Sequence, residues 1–208
     1  MKTRVLAFCI FLLVTITLFA QSPPDALQAF RDGAFERSVQ ICRNEIAENP
    51  NNIESHVVIV WSLMALGRYE EALNYALAGR RLSRYDIRII RNLGEVNYYL
   101  GRNNDALQHF QEFLSLAPAG TRVESIYYFI GEIYIRLGHF RHADIALTTA
   151  VHRVPGNAVW WTRLAYAREN AGDLLEAVNA YERALALNPQ LGDAPRGLER
   201  VRQRLARL

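Results

Sequence analysis

At 208 residues, 50% of them apolar, the chain is long enough to bury a continuous core as one soluble domain. Its formal charge of +3 includes Lys2 and Arg4, so residues 21–208 sit near +1, a balance that does not suggest nucleic acid as a partner. Beyond residue 20 the only cysteine is Cys42, which excludes an internal disulfide there and reads as a small core residue on an apolar stripe.

Residues 1–20 belong to targeting, not to the fold. Lys2 and Arg4 precede an apolar run from Val5 to Phe19, and Ala20 followed by Gln21 offers a small residue at a cleavage point. The run is short for a membrane span, which needs about 20 apolar residues, and Thr15 and Thr17 weaken it further. The reading is a signal peptide cleaved after Ala20. An uncleaved amino-terminal anchor is the alternative, because Leu18 is a poor fit to the usual Ala-x-Ala pattern. Either way the rest of the chain is exported to the periplasm or cell envelope. A lipoprotein is disfavoured, since Phe8 precedes Cys9 and the apolar run lies on the wrong side of it.

The rest of the chain repeats. Gly33, Gly67, Gly101, Gly138 and Gly172 recur at separations of 34, 34, 37 and 34 residues, and each is followed five residues later by Ser38, Ala72, Ala106, Ala143 or Ala177. Pro50, Pro118, Pro155 and Pro189 close four of the units, with Arg84 in the second. A period near 34 predicts an all-α solenoid in which each unit is too small to bury its own apolar face and must share a core with its neighbours. The five units are 19–52, 53–86, 87–120, 124–157 and 158–191.

The last unit shows the physics of each mark. Gly172 ends the first helix because glycine takes the left-handed conformation without a Cβ penalty, and Asp173 is placed to cap the second helix through its carboxylate. Ala177 sits where two antiparallel helices cross too closely for anything larger. Pro189 stops the second helix, while Trp161, Leu164, Ala165, Val178, Tyr181, Leu185 and Leu187 fall at three-and-four spacing on inward stripes.

These marks resemble the tetratricopeptide repeat family. The fit is closest in 124–157, through Tyr127, Ile130, Gly131, Tyr134, Gly138, Phe140, Ala143, Leu147, Ala150 and Pro155. Glu45 and Phe113 depart from the family's small residue late in the second helix, Arg84 from its proline and Asn103 from its aromatic. The resemblance implies a right-handed α-solenoid of five helix-turn-helix repeats. It covers almost the whole chain after residue 20.

Between the third and fourth units Thr121, Arg122 and Val123 are inserted. Thr121 with Glu124 makes a T-x-x-E capping box, so the insertion is expected to extend the next helix backwards, a bend there being the alternative. At the carboxyl end, residues 192–208 are expected to form a capping helix, with Asp193 as N-cap ahead of Pro195. Leu198, Val201, Leu205 and Leu208 would cover the last repeat, and Arg196, Arg200, Arg202, Arg204 and Arg207 would mostly face water.

No catalytic or metal constellation is found. His139, His142 and His152 lack a completing carboxylate or cysteine and read as a solvated face, so the chain is read as non-enzymatic, without cofactor or metal. The resemblance implies that the first helices line a concave groove for a partner. Carried over position by position, that groove holds Phe30, Arg31, Trp61, Met64, Arg88, Arg91, Glu95, Tyr98, Tyr99, Tyr128, Glu132, Arg136 and Tyr166, flanked by Leu27, Glu54, Val57, Ile135, Thr162 and Glu169. Aromatics there offer rigid anchors and the arginines can hold carboxylates or carbonyls. The clamp by which chaperone-binding members grip a terminal carboxylate is absent, its places being taken by Pro23 and Leu27, Val57 and Trp61, and Arg91 and Glu95.

The function expected is a protein-interaction adaptor or scaffold in the cell envelope that takes an extended or helical segment of another exported protein. The alternative is a small-ligand module working with an envelope transporter. The membrane would be touched only through residues 1–20, if they are retained. A small-molecule site needs a closed pocket and a peptide site an open groove.

Overall fold

The computed structural model describes residues 25–207, so the expected signal segment and Leu208 lie outside the described residues. Within them the chain forms eleven α-helices and no strand. Ten are paired: α1 (Ala26–Arg31) with α2 (Phe35–Glu48), α3 (Ile53–Ala65) with α4 (Tyr69–Leu82), α5 (Ile87–Tyr99) with α6 (Asn103–Leu116), α7 (Val123–Arg136) with α8 (Phe140–Arg153), and α9 (Ala158–Ala171) with α10 (Leu174–Leu187). A single α11 (Asp193–Leu205) follows. The chain is thus an α-solenoid of five helix-turn-helix repeats.

The turn within every pair is built the same way. The five repeat glycines have φ between +71° and +91°, the left-handed region that glycine enters without cost. The next residue's N–H then reaches back to a carbonyl five positions earlier, as in Arg68 to Leu63 at 2.8 Å and Asp173 to Arg168 at 2.9 Å. This closes each first helix with its last carbonyls satisfied.

Helix starts divide into two kinds. First helices α1, α3, α5 and α9 begin at Asp25, Asn52, Asp86 and Asn157, each in an extended conformation with a side-chain oxygen accepting from a helix N–H at 2.9–3.3 Å. Second helices begin straight out of the glycine turn, with ψ near 60–68° at the N-cap and no side-chain cap. The expected Asp173 cap is therefore corrected: its carboxylate faces Arg141 of the preceding repeat, Oδ2 to Nη1 at 3.5 Å.

The insertion is corrected as well. It adds only Val123 to α7, while Arg122 takes φ +69° as an uncapped N-cap. The chain thus makes a turn at Thr121 and Arg122, and the T-x-x-E box does not form. At α11 the cap position is Gly192, again without a side-chain bond, and Asp193 is the first helical residue, accepting from Arg196 at 2.5 Å.

Close crossings occur where small residues stand. Ser38, Ala72, Ala106, Ala143 and Ala177 are all fully buried. Serine is accommodated in the first unit because its hydroxyl donates to the Ala26 carbonyl at 2.7 Å and accepts from Ser62 at 2.9 Å. Ala177→Leu is expected to cost about 1–3 kcal/mol by overpacking this crossing. Thermal unfolding checks it, and an unchanged midpoint would contradict the assigned crossing. Phe113, larger than the family's residue, is absorbed into the core between the third and fourth repeats with Phe110, Val123 and Ile126.

Each first helix packs on the next, from α1 through α3, α5, α7 and α9 to α11, whereas the backbones of successive second helices stand further apart and are bridged by long side chains, as in Arg43 with Glu71 and Arg80 with Glu112. The first helices therefore form one inner row and the second helices splay along the outside. The contact of α6 with α7, beside the insertion, is the sparsest between a second helix and the following repeat. Leu198 and Val201 of α11 are buried against the fifth repeat, and Leu205 packs beside them. Gly197 permits this docking: a Cβ there would stand 2.3 Å from the Tyr181 ring.

Candidate functional site: the inner row of first helices

Side chains of neighbouring repeats meet along the inner row. At its amino-terminal end the Phe30 and Trp61 rings lie 5.8 Å apart, and Trp61 Nε1 donates to Asn92 Oδ1 at 2.8 Å, which fixes the indole. The Arg91 guanidinium carbon lies 5.8 Å from the same indole. Phe30, Trp61, Met64, Arg88, Arg91 and Glu95 all converge on one cavity of about 380 Å³, which Thr121 and Arg122 complete from the insertion.

Charges at this end are unevenly satisfied. Arg88 gives both terminal nitrogens to Glu54 at 2.7 and 2.8 Å and bonds Asp86 at 2.8 and 3.1 Å. Arg91, only 8% exposed, has Glu95 as its ion partner at 3.3 Å, yet its Nε has no hydrogen-bond acceptor. Burial pushes Arg91 below the usual guanidinium range against the pull of Glu95, with Arg122 and Arg88 adding repulsion. Burial also pushes Glu95 above the usual carboxylate range, against Arg91 and Arg122.

The middle of the row is aromatic. Tyr98 packs on Phe129 at 4.8 Å, Tyr99 stacks on Tyr69 at 4.9 Å, and Tyr128 stacks on Trp160 at 5.1 Å. Arg136 lies over the Tyr98 ring at 3.8 Å and donates to the Tyr98 carbonyl at 2.9 Å, tying the fourth repeat to the third. At the far end Tyr166 lines a second cavity of about 500 Å³, shared by α9 and α11, whose wall includes Arg163, Tyr181 and Arg200.

The residues expected in the groove thus differ in access. Tyr99, Arg136 and Arg31 are exposed, and Phe30, Trp61, Met64, Arg88, Glu95, Tyr128 and Tyr166 are half-buried. Arg91, Tyr98 and Glu132 are buried, as are the flanking Val57, Thr162 and Glu169. Glu132 accepts from Arg163 Nε at 2.6 Å. Glu169 accepts from Arg200 at 2.6 and 2.7 Å and from the Tyr181 hydroxyl at 2.9 Å. Arg200 and Arg204, expected mostly to face water, are about half exposed and also bind Glu169, Arg204 donating to its carbonyl at 3.1 Å.

Sequence reasoning missed Asn92, Phe129, Trp160, Arg163 and Arg122. A signal for three of the inter-repeat bonds was present: Trp61 to Asn92, Glu132 to Arg163 and Glu169 to Arg200 each span 31 residues, three short of the repeat. That offset joins a residue to one nearly a turn earlier on the next first helix.

Elsewhere the chemistry is quiet. Cys42 is fully buried and its thiol is pushed up to about 12, mainly by burial, which leaves it unreactive. His139 and His142 cluster with the Tyr134 ring at 6.2 and 5.2 Å. Among the described residues no group of three His, Cys, Asp or Glu is placed to hold a metal ion.

Comparison with known proteins matches residues 124–152 and 158–191 to sequence families described as Tetratricopeptide repeat. No curated protein matches the chain. Among solved structures, MamA is 21% identical, with a TM-score of 0.68 over 79% of this chain and 88% of that one. YrrB, described as a TPR protein with an unusual peptide-binding site, is 14% identical, with a TM-score of 0.70 over 84% of this chain and 88% of its own. A thermophilic TPR protein from Thermus thermophilus is 19% identical, with a TM-score of 0.60 over 85% and 94% of the two chains.

Proposed function

As the chain belongs to the tetratricopeptide-repeat family, we propose that it is an adaptor of the cell envelope that holds an extended or helical segment of another exported protein along its first helices. Proteins of this fold are in general non-enzymatic interaction scaffolds. The observation that carries the reading is the continuous inner row from Phe30 to Tyr166, in which aromatic faces alternate with arginines and residues of the row line both cavities. Such a surface offers rigid apolar anchors with charged groups to set register. A small-ligand carrier would call for an enclosed chamber instead. The peptide-binding description of YrrB agrees with this use of the fold.

Export rests on Lys2, Arg4 and the apolar run from Val5 to Phe19. Affinity purification from intact envelopes, followed by amino-terminal sequencing of the recovered chain, tests the proposal. The expected result is a chain starting at Gln21 together with an exported protein. Recovery of the chain only from the cytoplasm would contradict it.

A further inference from the structure

The cavity at the amino-terminal end of the row is completed by the insertion. Thr121 and Arg122 stand between the third and fourth repeats, yet they wall a space whose other sides come from α1, α3 and α5. Three of its lining residues are arginines, and they are not equivalent. Arg88 has spent its donors on Glu54 and Asp86. Arg122 makes no ion pair among the described residues and is exposed at the mouth.

Arg91 is the informative one. It is nine-tenths buried and its Nε lacks an acceptor, while Glu95 approaches to 3.3 Å without making a hydrogen bond. The Nε itself is enclosed beside Glu95, so the donors that Arg91 can offer to the cavity are its two terminal nitrogens, which make no hydrogen bond among the described residues. The wall opposite is apolar, formed by Phe30, Met64 and a Trp61 held in place by Asn92.

From this pairing of an under-satisfied buried cation, an unpaired cation at the mouth and a fixed apolar wall, we propose that the cavity is the specificity site of the groove. It receives an aspartate or glutamate side chain of the partner segment, with a neighbouring apolar side chain against Trp61. The carboxylate would lie between Arg91 and Arg122. The single carboxylate lining the cavity, Glu95, offsets one of these two charges and leaves the other to be matched from outside. This inference rests on the groove reading given above, and it names the chemistry that reading leaves open.

The test is selection of random octapeptides, acetylated and amidated so that no terminal carboxylate is present, on the purified full chain. The expected result is enrichment of Asp or Glu in fixed register with an apolar residue. Changing that acid to its amide in a synthesised winner should weaken binding by roughly ten-fold, the size of one charge-assisted bond. Arg122→Gly, which suits the positive φ at that position, should weaken the acidic peptide about equally and leave the amide peptide unchanged.

Enriched peptides without an acid, or an unaltered preference in Arg122→Gly, would overturn the inference while Trp61→Ala still abolishes binding and keeps the groove reading. Complete displacement of the peptide by inorganic phosphate in the low millimolar range would also overturn it, by identifying a site for small free anions. If no peptide is selected, or if Trp61→Ala changes nothing, the groove reading falls as well.

Discussion

Glu169→Ala is expected to lower the stability of the carboxyl-terminal end by about 2–3 kcal/mol and to loosen α11 before any other helix. Glu169 is 3% exposed and serves three groups at once: the Arg200 guanidinium, the nearby Arg204 and the Tyr181 hydroxyl. Removing one partner of a buried pair typically costs 3–5 kcal/mol. The value is lower here because the Arg200 and Arg204 side chains are 50% and 46% exposed and can turn to water. The Tyr181 hydroxyl cannot, since that residue is 1% exposed, and stranding it costs roughly 1–3 kcal/mol. Glu169→Gln keeps an acceptor for Tyr181 and should lose about half as much. Hydrogen exchange resolved along α9, α10 and α11 separates local loosening from global unfolding. Uniform protection in Glu169→Ala would show that α11 is held by Leu198 and Val201 alone.

The same group gives the sign of a pH effect. Burial pushes Glu169 upward, but the bonds from Arg200 and Tyr181 and the charges of Arg200 and Arg204 outweigh it and hold the carboxyl below the usual range. A carboxylate depressed in the folded chain contributes stability that is complete above its unfolded value, about 4.3, and is lost as pH falls through the lower folded value. Acidification below about 4 should therefore loosen α11 in the wild type and leave Glu169→Gln without that component.

The repeat was legible because its marks are backbone requirements. Only a residue free to adopt φ near +70° closes each first helix, and only a small one fits the crossing five residues later, so Gly67 with Ala72 or Gly138 with Ala143 announce the fold. Capping was less legible. An aspartate after the turn glycine suits a cap by residue type, yet ψ of 68° at Asp173 turns its side chain away from the N–H groups that Asn157, with ψ of 99°, reaches at α9. The T-x-x-E sequence at Thr121 was equally compatible with a cap or a turn, and the positive φ of Arg122 made it a turn.

Register along the first helices predicts which Cα atoms face inward, but not how far each side chain sinks. Arg91 and Tyr98 fall in the expected places, yet Arg91 lies buried beside Glu95, and Tyr98 is sealed by Phe129 and Arg136. Tyr98 is for that reason part of the junction between repeats, and Tyr99, 47% exposed, is the cleaner probe of the surface. A control on the outer side needs a residue without ion pairs, which excludes Glu71, bound to both Arg43 and Arg68. Gln108 is exposed and free of such ties.

Partner capture should depend on this inner face above all. Trp61 is held rigidly by Asn92 and borders the cavity, and Tyr99 stands on the stack with Tyr69, so both present fixed apolar area of the kind that dominates binding energies. Trp61→Ala and Tyr99→Ala are each expected to weaken capture by at least about 2 kcal/mol, roughly thirty-fold, with helical content unchanged. Gln108→Ala should have no effect. The most direct measurement places a photoreactive phenylalanine analogue at position 99 or at position 108 of the full chain and identifies what each one joins in intact cells. Cross-links to an exported protein from position 99, and none from position 108, are the result expected of a groove-binding adaptor. Cross-links from position 108 with position 99 silent would contradict it and move the working surface to the second helices.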